Sequence, residues 1–139
     1  MPSNIISYDP NEVTLTIDGQ PVSGFAEGSF VTVKRDAETW KAKAGIDGQV
    51  TRSLSHSELG KVTFTLTQFA DFNVDMQNLF IDDKKKKKPI DVEVKYGKSV
   101  WSGTGWIDKL PDVQFGNDAG TRAWSVSVAN LKFAEKSEA

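Results

Sequence analysis

The stretch Lys61-Val62-Thr63-Phe64-Thr65-Leu66-Thr67 decides the fold class. Apolar and hydroxyl side chains alternate without a break, which is the period of a strand with one face in a core and the other in contact with polar surroundings. The same period appears on both sides of it. Val13, Leu15 and Ile17 alternate with Thr14 and Thr16; Val92, Val94 and Tyr96 with Asp91, Glu93 and Lys95; Trp124, Val126 and Val128 with Ser125 and Ser127. Phe30–Lys34 and Gln49–Ser53 read as shorter strands, and Ile90–Tyr96 and Lys98–Ile107 as strands divided at Gly97. After Val128 the apolar register slips to Ala129, Leu131 and Phe133, which a bulge near Asn130 accounts for, because one extra residue exchanges the two faces.

Asp18-Gly19 and Asp47-Gly48 are two-residue hairpin signals, since primed turns need the positive φ that glycine accepts. One segment departs from period two. Phe69, Phe72, Met76, Leu79 and Phe80 recur at helical spacing, with Asn73, Asp75, Gln77 and Asn78 on the opposite side. A single helix is expected over about Ala70–Asp83, with acid near its start and lysines beyond its end, as the helix dipole favours. Pro89 separates it from the next strand. Strands, one helix and strands again predict a mainly β protein: an antiparallel β-sandwich or barrel with one flanking helix, in a single domain spanning 1–139. The polar tail at about 135–139 is expected to fray.

Composition narrows the chemistry. The chain has 139 residues, no cysteine and one histidine, His56. Thiolate zinc sites, cysteine nucleophiles and His-pair metal sites are therefore excluded. No cofactor or metal is expected, and an enzyme is the least favoured class, with only a carboxylate hydrolase left open. His56 lies in Leu54-Ser55-His56-Ser57-Glu58, a polar turn without a nucleophile elbow. Asp82-Asp83 and Asn117-Asp118 are expected on loops and lack calcium-loop spacing. No apolar run approaches a membrane span, and Met1–Ile6 has neither the basic start nor the apolar stretch of a secretory signal.

Seventeen basic and 19 acidic residues give a net charge of −2, yet five of the basic ones are consecutive: Lys84, Lys85, Lys86, Lys87 and Lys88. Outside that run 12 basic residues face 19 acidic ones, a balance of −7, which repels nucleic acid. The run is either an electrostatic patch or a solvated loop that follows the helix. A further reading has it meet the acidic face of another copy.

Lys34–Gly48 is too long for a tight turn and too poor in apolar residues for a core, so it must project. Its alternating charges around one tryptophan mark an arm at about 36–48, with Arg35, Asp36, Glu38, Trp40, Lys41 and Lys43 as contact residues. Trp124 belongs to the core; Trp101 and Trp106, five apart, face opposite ways, one toward the core and one toward an interface. Thr63, Thr65 and Thr67 form a polar, nearly uncharged row where lysine and glutamate are usual, and Gln49, Thr51 and Ser53 are expected to extend it on a neighbouring strand. Such a wall suits something that must slide past without sticking; ordinary β propensity is the other explanation.

Three stretches resemble the tail proteins of contractile-tailed bacteriophages, and specifically a small tail tube protein: Tyr8-Asp9-Pro10-Asn11-Glu12-Val13, Val31-Thr32-Val33-Lys34-Arg35, and Trp40-Lys41-Ala42-Lys43-Ala44-Gly45-Ile46-Asp47-Gly48-Gln49-Val50-Thr51-Arg52-Ser53. The likeness runs from about Ile5 to Phe133. It implies the fold shared with type VI secretion tube proteins and six-fold rings stacked into a hollow tube for DNA and the tape-measure protein. By that resemblance, Phe30–Arg35 and Gln49–Ser53 join neighbouring subunits in an inner barrel. The Asp36–Gly48 arm reaches the next ring, and the Ala70–Asp83 helix packs outside. Partners are then the chain itself, sheath, baseplate and tape-measure proteins, with DNA only as passing cargo and no membrane. The location is the virion tail, assembled in the host bacterial cytoplasm. The lysine run departs from the family pattern. A carbohydrate- or receptor-binding β-sandwich of a baseplate or fibre is the alternative.

Overall fold

The computed structural model describes residues 5–28 and 31–135. Phe30, residues 1–4 read for a leader, and residues 136–139 of the expected tail lie outside the described residues. A short 3-10 turn, Pro10–Glu12, is capped by Asp9, whose carboxylate accepts the Asn11 N–H at 3.0 Å. The strands are β1 (Thr14–Ile17), β2 (Gln20–Pro21), β3 (Val31–Arg35), β4 (Trp40–Ala44), β5 (Val50–Leu54), β6 (Gly60–Thr67), β7 (Ile90–Tyr96), β8 (Ser99–Ile107), β9 (Thr121–Val128) and β10 (Lys132–Glu135), with helix α1 (Phe72–Lys86) between β6 and β7.

All strand pairs are antiparallel, and the main sheet runs β2-β1-β7-β8-β9-β6-β3, with β10 added to β8. In a flat sheet β1 and β6 would stand about 19 Å apart, at about 4.8 Å per strand. The chain leaving β2 forbids that. The Val22 N–H bonds the Leu15 carbonyl of β1, and two residues later the Gly24 carbonyl accepts the Thr67 N–H of β6, each at 2.8 Å. Two residues reach about 7 Å at most. The sheet therefore curls until its margins meet, with Phe25 bridged to Leu66 at the seam. The result is the mainly β sandwich with one flanking helix that the alternation predicts.

The register places the alternating apolar residues on the inner face. Leu15, Val94, Trp101 and Ile17, Val92, Gly103 follow one another across β1, β7 and β8, and Val33, Val62, Val126 and Ile107 across β3, β6, β9 and β8. Burying these side chains is the main stabilising term, at roughly 1.5–3 kcal/mol for each large one. α1 adds Phe72 and Met76 to the same core, with Leu79 and Phe80 partly buried.

The slip after Val128 is real. Ala129–Leu131 stand opposite Gly103 and Thr104, one residue more than their partner strand has. The side-chain oxygen of Asn130 accepts the Thr104 N–H at 2.7 Å, so the break in the ladder leaves that donor satisfied. The extra residue lets Val128 and Leu131 both be buried. Beyond it the chain continues as a separate strand, β10, in which Glu135 pairs with Ser99.

Asp18 and Gly19, at φ 52° and 83°, form the expected two-residue turn. Asp47-Gly48 does not. Ala44 pairs with Val50, the Gly48 N–H bonds the Gly45 carbonyl, and the Gly45 N–H bonds the Gln49 carbonyl. Ile46, Asp47 and Gly48 thus make a three-residue loop, ending in positive φ at Gly48.

The helix is displaced from its expected span. It begins at Phe72, which leaves Phe69 outside it and exposed, so the helical spacing of Phe69 was coincidental. It runs on through Asp82, Asp83 and Lys84–Lys86 to a left-handed cap at Lys87, whose N–H bonds the Asp83 carbonyl at 2.7 Å. Asp82-Asp83 is therefore helical, and three of the lysines form a last helical turn instead of a loop. Nothing in Asp82–Lys86 breaks a helix, and the cations suit its negative end. Asn73, assigned to the polar side, is buried.

Candidate functional site

The surfaces that stand out are faces and edges. Each outward row can be read across the ladder, because opposed residues share a face. Thr32, Thr63 and Ser125 line up across β3, β6 and β9, and Thr16, Glu93 and Ser102 across β1, β7 and β8. Thr65 and Thr67 continue the hydroxyl row along β6, where Thr67 also donates to the Gly24 carbonyl at 3.4 Å. Asp108 organises the centre of this face. It accepts the Ser127 hydroxyl at 2.6 Å and the Ser125 hydroxyl at 3.3 Å, and it lies 3.9 Å from the Lys61 ammonium.

This outer wall differs from the expected one in two ways. Gln49, Thr51 and Ser53 do not extend the Thr63 row, since β5 pairs with β4 and forms a separate two-stranded sheet. Their place is taken by Thr32, Ser125 and Ser127, whose outward phase is visible in the alternation around Trp124. The wall is also not free of charge, because Asp91, Glu93 and Lys95 share it on β7. β3 closes the sheet order, with no strand beyond it among the described residues.

The segment expected to project is the β4–β5 hairpin, and every one of its strand residues is exposed. Trp40 stands at its base with the Arg52 guanidinium 4.0 Å above the ring, a cation–π pair. Lys41 and Lys43 point to the opposite side of the hairpin from Trp40. Asp36 and Glu38 lie in the bend that leads into it. Arg35 is held elsewhere: it donates to the Leu131 carbonyl at 2.6 Å and lies 3.8 Å from Glu58, tying the end of β3 to the bulge.

The tryptophans do not form a row. Trp124 is buried; Trp101 packs on Phe133 with ring centroids 5.2 Å apart; Trp106 faces outward on the same strand as Trp101. His56 is exposed in its turn. Lys84, Lys85, Lys86, Lys87 and Lys88 are all exposed, with the Lys84 ammonium 6.0 Å from the Phe80 ring. Among the described residues no group of three or more His, Asp or Glu side chains could hold a metal, and no helix is long and apolar enough to cross a membrane.

No protein-family model matches the chain. It is 26% identical over 140 residues to structural protein ORF10 of Pseudomonas phage KPP10, covering 91% of this chain and 80% of that protein. A chain of the sheath/tube terminator of an extracellular contractile injection system, in the extended state, superposes with a TM-score of 0.61 at 10% identity, over 94% of this chain and 99% of the other. A chain of the sheath–tube complex of such a system gives 0.62 at 10% identity, over 93% and 92%. The fold is therefore one found in the tube and tube-terminating assemblies of contractile injection systems, and the sequence is similar to that of a phage structural protein.

Proposed function

We propose that this chain is a structural virion protein, the subunit of a phage tail tube, in which six copies form a ring and rings stack into a conduit for DNA. The observation that carries the reading is the combination of a hydroxyl-rich outer wall with a sheet that ends at β3. A strand edge left open invites uncontrolled pairing, and joining β3 to the sheet of a neighbouring copy removes it. Thr32, Thr63, Thr65 and Ser125 then line the conduit, with Thr67 at one end of the row. The similarity to a phage structural protein and to chains of tube assemblies supports the same reading. Sheath, baseplate and tape-measure proteins are its further partners, DNA passes as cargo, and no catalytic role is assigned.

Electron microscopy of the purified protein, alone and with other tail components, tests this. Six-fold rings and stacked tubes are expected. Single rings that cap a tube made by another protein would make it a terminator, and a strictly monomeric protein that binds glycans would replace the reading with the carbohydrate-binding one.

A further inference from the structure

The β4–β5 hairpin has two unlike faces. The opposed pairs Trp40–Leu54, Ala42–Arg52 and Ala44–Val50 share one side; Lys41–Ser53 and Lys43–Thr51 share the other. On the first side Val50 is 63% exposed and Leu54 47% exposed, and Ile46 at the tip is fully exposed. A two-stranded hairpin is marginal in water by itself. An apolar face of this kind needs a cover from outside the fold.

The same chain carries a matching surface. The connection 108–120 between β8 and β9 contains no helix or strand and exposes Leu110, Val113 and Phe115. Its far end is fixed by Gln68, which donates its backbone N–H to the Gly120 carbonyl and accepts the Gly120 N–H, both at 3.0 Å. That anchorage sets the exposed Phe69 beside the connection. The charges are opposite as well. Lys41, Lys43 and Arg52 outweigh Asp47 in the hairpin, and Asp112 and Asp118 outweigh Lys109 in the connection, Asp108 being engaged by Lys61. Complementary potentials of this kind steer association and fix its register.

We infer that the hairpin of one copy lays its Trp40, Val50 and Leu54 face on the Leu110, Val113 and Phe115 surface of the next copy. The inference rests on the tube-subunit reading for self-association and names the two surfaces that carry it. Donor and acceptor patches are different parts of the molecule, so the contact is heterologous and propagates instead of closing as a two-fold pair. The contact residues expected of the arm divide accordingly: Trp40 is in the contact, and Lys41 and Lys43 flank it from the far side of the hairpin.

The absence of native cysteine makes the test clean. Full-length Val50→Cys chain is mixed with full-length Val113→Cys chain under assembly conditions and mildly oxidised. Covalent dimers containing one copy of each variant are expected, with little dimer from either alone. No mixed dimer, or dimers of Val50→Cys with itself, overturns the pairing. A second experiment uses Leu54→Asp and Phe115→Asp, both at exposed positions and checked for native circular dichroism. Each alone is expected to stop at single rings held by the β3 edge, and the mixture to give rings stacked in pairs, because each variant keeps one intact surface. Wild-type assembly by both variants also overturns the pairing. Tubes by microscopy without the mixed disulfide defeat this contact and spare the tube reading; the mixed disulfide without rings or tubes does the reverse.

Discussion

Asn73 is the residue on which the helix and the sheet agree. Its amide donates to the Thr67 and Gln68 carbonyls at 3.0 and 3.1 Å, and its oxygen accepts the Trp124 indole N–H at 2.9 Å. Both ends of the side chain are used, in a place that is almost wholly buried. Asn73→Ala strands an indole donor and removes a partner from two carbonyls, and each buried group left unpaired costs about 1–3 kcal/mol. The expected loss is about 2–4 kcal/mol. Urea unfolding followed by tryptophan fluorescence reads it, and an unchanged midpoint would remove the network from the account. Asn73→Asp keeps the acceptor, loses the donor and buries a charge, so it is not expected to rescue stability. None of this was legible beforehand. An asparagine on a helix reads as the polar side, and only its meeting with Trp124, 51 positions away, makes it core. Gly105 makes a related point about space. A Cβ there would run into the Ser127 carbonyl of β9, whereas Gly97, at φ 59°, has nothing around it. Gly105→Ala should therefore cost more than about 2 kcal/mol by forcing β9 off β8. Gly97→Ala should cost only the left-handed backbone penalty of about 1–2 kcal/mol. The two midpoints measured side by side test the distinction, and equal shifts would contradict it.

At the scale of elements, what could be read was what depends on near neighbours in sequence. β1, β6, β7 and β9 show in the alternation because each buries one face, and even the extra residue near Asn130 shows as a phase change. β2 is too short to carry a period, and the seam at Phe25 depends on a sheet that curls, which no local pattern records. β5 was legible as a strand, but its partner was not: Thr51 and Ser53 resemble the Thr63 row in composition, and only pairing distinguishes an arm from a wall. The helix end was misread for a physical reason too. Five lysines look like a solvated loop, yet lysine is a good helix former and its charge suits a C-terminus. Replacing Lys84, Lys85 and Lys86 together with glutamine keeps the helical propensity and removes the charge. Thermal stability should fall by about 1 kcal/mol or less at low ionic strength, and the difference should vanish near 1 M salt, where the screening length is about 3 Å. A difference that survived high salt would mean that these lysines are held by a specific partner within the fold.

For the whole molecule, the charge distribution and the geometry bear on one another. The acidic excess outside the lysine run suits passage of DNA only if the wall facing the DNA does not grip it. On this chain the hydroxyl rows of β3, β6 and β9 are the natural candidate, with Lys61 drawn toward Asp108 instead of standing free. A wall that neither binds nor strongly repels leaves the phosphate backbone hydrated and mobile; added cations would exchange with its counterions and hold it. Thr63→Lys with Thr65→Lys changes that wall at half-buried outward positions without touching the inner core. If these residues line the conduit, the double variant should still fold and give tails of wild-type length, while infectious titre falls because ejection stalls. Potassium release or DNA entry timed against adsorption separates stalled ejection from failed assembly. Normal titre with normal tails would put the hydroxyl face elsewhere on the particle, and the β7 side of the sheet, with Asp91 and Glu93, would become the next wall to test by the same substitution.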